Sequence, residues 1–435
     1  MFTTTGGRQV FVPEILGGAY DSQAEHFLRG DVDVDVDAIR HESMVVDGKV
    51  RMYFGPFPAF LRIPLNFLYP PGHGKWSRIS GFCAGLVALF AFAGLVRMAL
   101  LSSPLASRAR NWVGNASVFG FAFGSPLLLL LGNLSIYDEA IIWGFALSLA
   151  ALFFAFLARR AEGTALTTTL LGFSFCAGGA LLSRVTFGVP FLLIAPILAL
   201  GIQREKRLTN LSALFLPVSA AVLFYLWLSH ARFGNFLGTY FDYYINSRDT
   251  TFVHKFGVFS PRRIPYSVAD YFNLRLPAFQ HEPPFLVVGR HDYAYSSLFL
   301  NPFSEVYISL LWSSPWLIFG AIMGIICLFR DKSVGLFERS VAIALFAQCL
   351  CILSFYGVTQ RYAAELFPFL IFAFLLFLRS GRWSYHLPYL ITGLVVVSVV
   401  INSLTTVSWL LDSDLNVPKE TRSQWNEFLG RTSRR

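Results

Sequence analysis

The stretch Ala19–Pro58, AYDSQAEHFLRGDVDVDVDAIRHESMVVDGKVRMYFGPFP, is dense in carboxylates and aromatics, and nearly everything after it is apolar. Hydrocarbon offers a backbone no hydrogen-bond partner, so long apolar runs must satisfy their own bonds, and runs of about 17 to 25 residues do so as helices. A polar segment ahead of such helices is a poor membrane span and a suitable lining for a site at the membrane surface. That contrast sets the expected fold, an all-α polytopic membrane protein in which the helices are scaffold and this segment is the working part.

Composition points the same way. Hydrophobic residues make up 55% of the chain and charged residues 14%, with a mean hydropathy of +0.55, outside the balance of a soluble domain. The net charge of +9 follows from where Lys and Arg sit between spans, so nucleic acid is not an expected partner. Cys83, Cys176, Cys327, Cys349 and Cys351 all fall inside apolar runs without histidines at ligand spacing, and read as small packing residues.

About ten transmembrane helices are expected: Ile79–Leu101, Trp112–Leu134, Ala140–Ala158, Ala165–Leu182, Phe187–Ile202, Leu211–Leu228, Val306–Phe329, Val341–Phe355, Ala363–Leu378 and Leu387–Leu411. Alternate short loops carry Arg108 and Arg110, Arg159 and Arg160, Arg204, Lys206 and Arg207, Arg330, Lys332 and Arg339, then Arg379 and Arg382. The opposite short loops offer only Arg184 and Arg361, so the basic set is assigned to the cytoplasm. The chain then divides into an outer loop (1–78), six helices (79–229), a second outer loop (230–305), four helices (306–411) and an outer tail (412–435). The first span would run from outside to inside with no leader ahead of it, which creates the expectation of a further span upstream of Met1. The expected location is the inner (plasma) membrane, multi-pass, with the site on the extracytoplasmic face.

Within the polar stretch, Tyr20–Asp31 reads as a short amphipathic helix closed by Gly30. Asp21, near its start, is placed to accept a proton from an attacking hydroxyl; the alternative is a helix-capping or surface aspartate. Tyr20 and Glu42 are supporting candidates. Arg361 stands at an outer helix end, where a guanidinium can form paired hydrogen bonds to a lipid-linked phosphate. Glu365, four residues on, could orient it, and the bland reading is an interfacial ion pair with Tyr362 as aromatic anchor. Arg184 is a second phosphate candidate or a snorkelling side chain. Asp138 and Glu139 either line the acceptor side of a cavity or simply favour the positive end of a helix dipole.

Asp31, Asp33 and Asp35 with Glu42 nearly match the spacing of a calcium loop, but Val36 occupies the position that loop needs for Gly. A solvated acidic edge with alternating valines facing the protein is favoured over calcium or manganese, and no metal or other cofactor is expected. Tyr53–Pro58 reads as a turn re-entering the membrane, with Tyr53, Phe54 and Phe57 at the interface. Lys49 and Arg51 just before it could meet a phosphate.

The residues Tyr20-Asp21-Ser22-Gln23-Ala24, followed by D-G-K-V-R-M-Y-F-G-P-F-P-A at 47–59, resemble the first outer loop of the C-type (GT-C) membrane glycosyltransferases. The resemblance is narrower to a group of uncharacterised bacterial members carrying Y-D-x-Q-A and Y-F-G-P-F-P-A. R-Y-A-A-E-L-F-P at 361–368 is similar to a second motif of that group. The resemblance implies a polyprenyl-phosphate sugar as donor, an acidic catalytic residue at Asp21 and inversion at the anomeric carbon. Ser22 stands where related transferases often have a second acid. The expected function is therefore transfer of a sugar from a polyprenyl-phosphate carrier to a glycan, lipid or protein acceptor, with Arg361, Arg184 and Lys49 on the donor phosphate. No nucleotide-binding fingerprint is present. A transporter or lipid flippase is the alternative, expected to place ionisable groups near mid-membrane within repeated halves. A structural partner in an envelope complex is a third.

Overall fold

The computed structural model describes residues 9–202, 206–236, 240–287, 298–299, 307–381, 386–412 and 417–431. Val306, Arg204 and Arg382, used above, lie outside them. The polar stretch folds as its local signals dictate. Helix α1 spans Ala19–Arg29 and ends at Gly30, whose φ of 85° is the left-handed cap expected from its sequence. A short α2 (Val36–Ile39) follows, then a hairpin of β1 (Met44–Val46) and β2 (Lys49–Arg51) with Met44 opposite Arg51. Val32 and Val34 are buried, and the alternation stops at exposed Val36, where α2 begins.

No helix of spanning length starts directly after Pro58. Residues Phe57–Leu68 form α3, an apolar helix of 12 residues. That is too short to span, and it leaves Phe67 and Leu68 exposed at its end. The long helices start only at α4 (Ser77–Leu101). Then come α5 (Ser107–Phe123), α6 (Pro126–Gly132), α7 (Ile136–Ala158), α8 (Gly163–Ser183), α9 (Val185–Leu200) and α10 (Arg207–Phe233). The second polar region holds α11 (Ser247–Phe256), α12 (Ile264–Tyr271) and a small hairpin of β3 (Ala278–Phe279) and β4 (Leu286–Val287). The remainder is α13 (Leu310–Ser313), α14 (Pro315–Arg330), α15 (Leu336–Leu353), α16 (Phe367–Ser380), α17 (Leu387–Asp412) and α18 (Lys419–Phe428).

Among the described residues, seven segments are long and apolar enough to cross a membrane: α4, the α5–α6 run, α7, α8, α10, α15 and α17. Helices α9, α14 and α16 are apolar but shorter, at 16, 16 and 14 residues. Three of the expected spans are interrupted. Gly124-Ser125-Pro126 breaks the second, and the Ser125 side chain caps the new start by accepting from the Leu127 amide. Ser314-Pro315 separates α13 from α14, and residues Gln360–Glu365 form a 3-10 helix ahead of α16.

Helix α7 is apolar all round and buried along most of its length, the signature of a central helix, and it packs against α4, α8 and α9. Gly324 brings α14 onto α16, since a Cβ there would lie 1.7 Å from the Ala373 carbonyl oxygen. The basic loops gather at one end of the bundle: Arg160 reaches Ser102, Arg159 lies over the Phe337 ring, and Arg379 pairs with Glu338. The first polar segment, Arg184 and Arg361 occupy the other end, seated closely because Gly55 has no Cβ to meet the carbonyl oxygens of Leu182 and Ser183.

Candidate active site

Two polar clusters lie at this end, one sealed and one open. The sealed cluster is built by three elements. Helix α1 contributes Asp21, α3 contributes Arg62, and the first turn of α7 contributes Glu139; all three side chains are fully buried. Arg62 Nη2 donates to both Glu139 oxygens at 2.6 and 2.7 Å, and its Nε lies 3.5 Å from Asp21 Oδ2. Neither Asp21 oxygen accepts a hydrogen bond among the described residues. Beside it, Tyr20 is buried and donates to the Ile136 carbonyl. Asp138 faces Asn133 and Ser135, closing the turn that starts α7.

The open cluster lines a cavity of about 970 Å³. Arg184, at the junction of α8 and α9, and Arg361, in the 3-10 helix, both approach the Tyr362 ring, at 4.9 and 5.4 Å. Arg361 also lies over the Tyr137 ring at 4.5 Å. The Tyr137 hydroxyl donates to Glu42 Oε1, and the Tyr53 hydroxyl donates to Glu42 Oε2 at 3.1 Å. Arg361, Tyr137 and Glu42 therefore stand in series on the wall. Burial, then the Glu42 charge, pushes the Tyr53 phenol well above its ordinary range, so it remains a neutral donor to that carboxylate. Asp249 is a further lining carboxylate.

From this polar mouth the cavity continues between α9 and α15. Val185, Val189, Pro190 and Leu193 line it on one side, and Cys351, Gln348, Ala347 and Ala344 on the other. The eight helical steps from Val185 to Leu193 correspond to a depth of roughly 12 Å at 1.5 Å per residue. Cationic groups at the mouth and an apolar groove below suit an amphiphile with an anionic head.

Several expectations change. Asp21 does not line this cavity; it lies sealed in the other cluster, because the buried face of α1 turns it toward α3. The cavity carboxylate joined to Arg361 is Glu42, which the sequence marked only as supporting. Glu365 pairs with Arg184, Nε to Oε1 at 2.6 Å, rather than orienting Arg361. In a 3-10 helix residues three apart are aligned, so a spacing of four turns the side chain away. Lys49 is exposed, pairs with Asp33 at 3.2 Å and is absent from the cavity wall. Arg51 holds Asp33 and the Ala231 carbonyl. Asp31 faces His26, and Asp35 faces Ser22, so the acidic run disperses onto different partners. Asp138 and Glu139 are buried in the sealed cluster and its flank. Arg184, Arg361, Tyr53, Glu42 and Tyr362 do meet around one space. Sequence reading missed Arg62, Tyr137 and Arg232. The charge of Arg62 within an apolar run, in F-L-R-I-P, is the signal that could have found it.

Two solved structures resemble the chain. Both are of ArnT from Cupriavidus metallidurans. The apo structure gives 12% identity and a TM-score of 0.42, covering 97% of this chain and 74% of that one. The structure bound to undecaprenyl phosphate gives 14% identity and a TM-score of 0.44, covering 97% of this chain and 65% of that one. No protein-family model and no curated protein matches the sequence. What the cavity can do is therefore read from its own residues.

Proposed function

We propose that the protein is a membrane glycosyltransferase of the GT-C type that takes its sugar from a polyprenyl-phosphate carrier at the extracytoplasmic face. The observation that carries this reading is the pair Arg184 and Arg361 at the mouth of a cavity that runs on as an apolar groove between α9 and α15. The guanidiniums suit a phosphate, and the groove suits a prenyl chain.

In this reading Glu42 is the general base. It takes the proton of the acceptor hydroxyl as that oxygen bonds to the anomeric carbon. The bond from the anomeric carbon to the phosphate oxygen breaks, with inversion, and the released polyprenyl phosphate keeps the electron pair and stays against Arg184 and Arg361. Asp21 holds Arg62, and through it Glu139, beneath the wall.

The test gives membranes containing the full chain a panel of radiolabelled polyprenyl-phosphate sugars. Glu42→Gln is expected to lower the transfer rate at saturating donor by about 100-fold or more, with the protein level unchanged. Arg361→Gln is expected to raise the donor concentration needed for half-maximal transfer. Transfer by Glu42→Gln equal to wild type, together with loss in Asp21→Asn at unchanged protein level, would return the base role to Asp21. No transfer from any donor in the panel, with no binding of polyprenyl phosphate, would overturn the enzyme reading.

A further inference from the structure

A chain of aromatic rings joins the two arginines to the neighbourhood of Glu42 by a second route. From Tyr362, the ring that Arg184 and Arg361 share, Phe355 stands edge-on at 5.3 Å and Tyr356 lies 4.3 Å from Phe355. Phe241 follows Tyr356 at 6.1 Å, and Tyr244 follows Phe241 at 6.3 Å. Tyr244 forms an isolated β-bridge with Met44, two residues past Glu42. All five rings line the cavity and keep accessible surface, as does Asp249 in the first turn of α11.

Two segments supply this arc, and one buried side chain latches them together. Phe241 and Tyr244 belong to the second polar region, and Phe355 and Tyr356 to the loop after α15. Arg263 donates to the carbonyls of Phe256, Gly257 and Val258 at 3.0, 2.9 and 2.9 Å on the first segment, and to that of Ser354 at 3.3 Å on the second. The Ser260 amide adds a bond to the Ser354 carbonyl at 2.8 Å. The rings are therefore held in position ahead of any ligand.

The chemistry of the arc suits a sugar. Ring faces meet its C–H edges, and the phenol hydroxyls of Tyr244 and Tyr356 and the Asp249 carboxylate can bond its hydroxyls. A carboxylate has about four acceptor sites, so partners within the protein do not exhaust Asp249. Burial, then the Glu42 charge and that of Asp249, push the Tyr244 phenol up, so its hydroxyl stays neutral within reach of two carboxylate charges. Those two charges disfavour an acidic sugar. A prenyl chain gains nothing from these polar groups and already has the apolar groove between α9 and α15.

We propose that Phe241, Tyr356 and Asp249 form a subsite for a neutral sugar ring and discriminate against an acidic one. Assigning that ring to donor or acceptor rests on the transferase reading above; the subsite itself does not.

The experiment measures binding to the full chain purified in detergent. One arm compares polyprenyl phosphate, a polyprenyl-phosphate hexose and the matching polyprenyl-phosphate uronate. The other compares a neutral disaccharide with its uronate counterpart, with and without polyprenyl phosphate. Wild type is expected to favour the neutral sugar by about tenfold or more in at least one arm. Asp249→Asn is expected to narrow that preference to within about threefold, and Tyr356→Leu to weaken the neutral sugar by about tenfold. Both are expected to leave polyprenyl phosphate within about twofold of wild type. Tyr356→Phe keeps the ring and is expected to retain most of the binding; it also serves where the Leu variant does not fold. Effects in the first arm assign the ring to the donor, and effects in the second assign it to the acceptor. Equal binding of neutral and acidic sugars by wild type in both arms would overturn the proposal. So would variants that lose polyprenyl phosphate and sugar together, since the rings would then only support the donor site. Neutral-sugar binding that depends on Asp249 and Tyr356 in a protein that takes up no polyprenyl phosphate would uphold the subsite and sink the donor reading.

Discussion

At the scale of single residues, Arg62 stands between two carboxylates that have left water completely. Removing a partner from such a cluster leaves uncompensated buried charge, which typically costs about 3–5 kcal/mol. Arg62→Gln is therefore expected to destabilise the protein by about that amount, read as a lower midpoint in chemical denaturation of the detergent-solubilised chain. Asp21→Asn, which removes one of the two acids, is expected to soften the effect in the double variant, and strict additivity would contradict a shared cluster. The donor site makes a separate prediction. Arg184→Gln and Arg361→Gln are each expected to weaken polyprenyl phosphate binding by roughly tenfold to 100-fold, as loss of charge-assisted hydrogen bonds does. Lys49→Gln, away from the cavity, is expected to leave that binding within about twofold of wild type. None of these contrasts can be drawn from residue type, because Lys49, Arg184 and Arg361 differ in surroundings and share a charge.

At the scale of elements, α1 is tied to the segment leading into α2 by Ser22 and Asp35. The Ser22 hydroxyl donates to Asp35 Oδ2 at 2.6 Å and accepts from the Asp35 amide at 2.8 Å. That hydrogen bond, opposed by partial burial and helped by His26, lowers the Asp35 carboxyl below its ordinary value. A depressed carboxyl contributes stability above the unfolded pKa, near 3.9, and loses it as pH falls through the folded value. Ser22→Ala is thus expected to melt below wild type at pH 5 to 6, with the gap narrowing as pH falls through the lowered Asp35 value but not closing, because the Asp35 amide bond to Ser22 Oγ does not titrate. A difference that persisted unchanged at low pH would point to packing instead. Helix contacts make a second prediction at this scale. Gly324→Leu is expected to force α14 off α16, cost at least about 1–3 kcal/mol and lower the thermal midpoint.

At the scale of the whole molecule, the basic loops and the cavity lie at opposite ends of one bundle. In a cysteine-free background, Lys49→Cys is expected to react with a membrane-impermeant thiol reagent in intact cells. Arg160→Cys is expected to react only after permeabilisation, and the reverse pattern would invert the assigned orientation. The alternation of ends was legible in the sequence because Lys and Arg mark every second short loop and because apolar length alone obliges helices. Helix α1 and its Gly30 cap were legible for a similar reason, since both depend on neighbours in sequence. The breaks at Ser125-Pro126 and Ser314-Pro315 lie inside apolar runs, where hydropathy is blind to hydrogen-bond geometry. The site was legible only in part. Arg184 and Arg361 stand out as charges at helix ends, and Tyr53 and Glu42 as members of the polar stretch, but no periodicity tells that Glu42 rather than Asp21 borders the cavity. That choice depends on which face of α1 packs on α3, and on Gly55 letting the segment settle against α8. The sequence by itself determined the helical membrane scaffold, its polar end and its candidate charges, because burial in hydrocarbon and charge bias act along the chain. Only the tertiary structure decided which charges seal one another and which face open space, because those pairings join residues as distant as Asp21 with Arg62, Arg184 with Glu365 and Phe54 with Arg232.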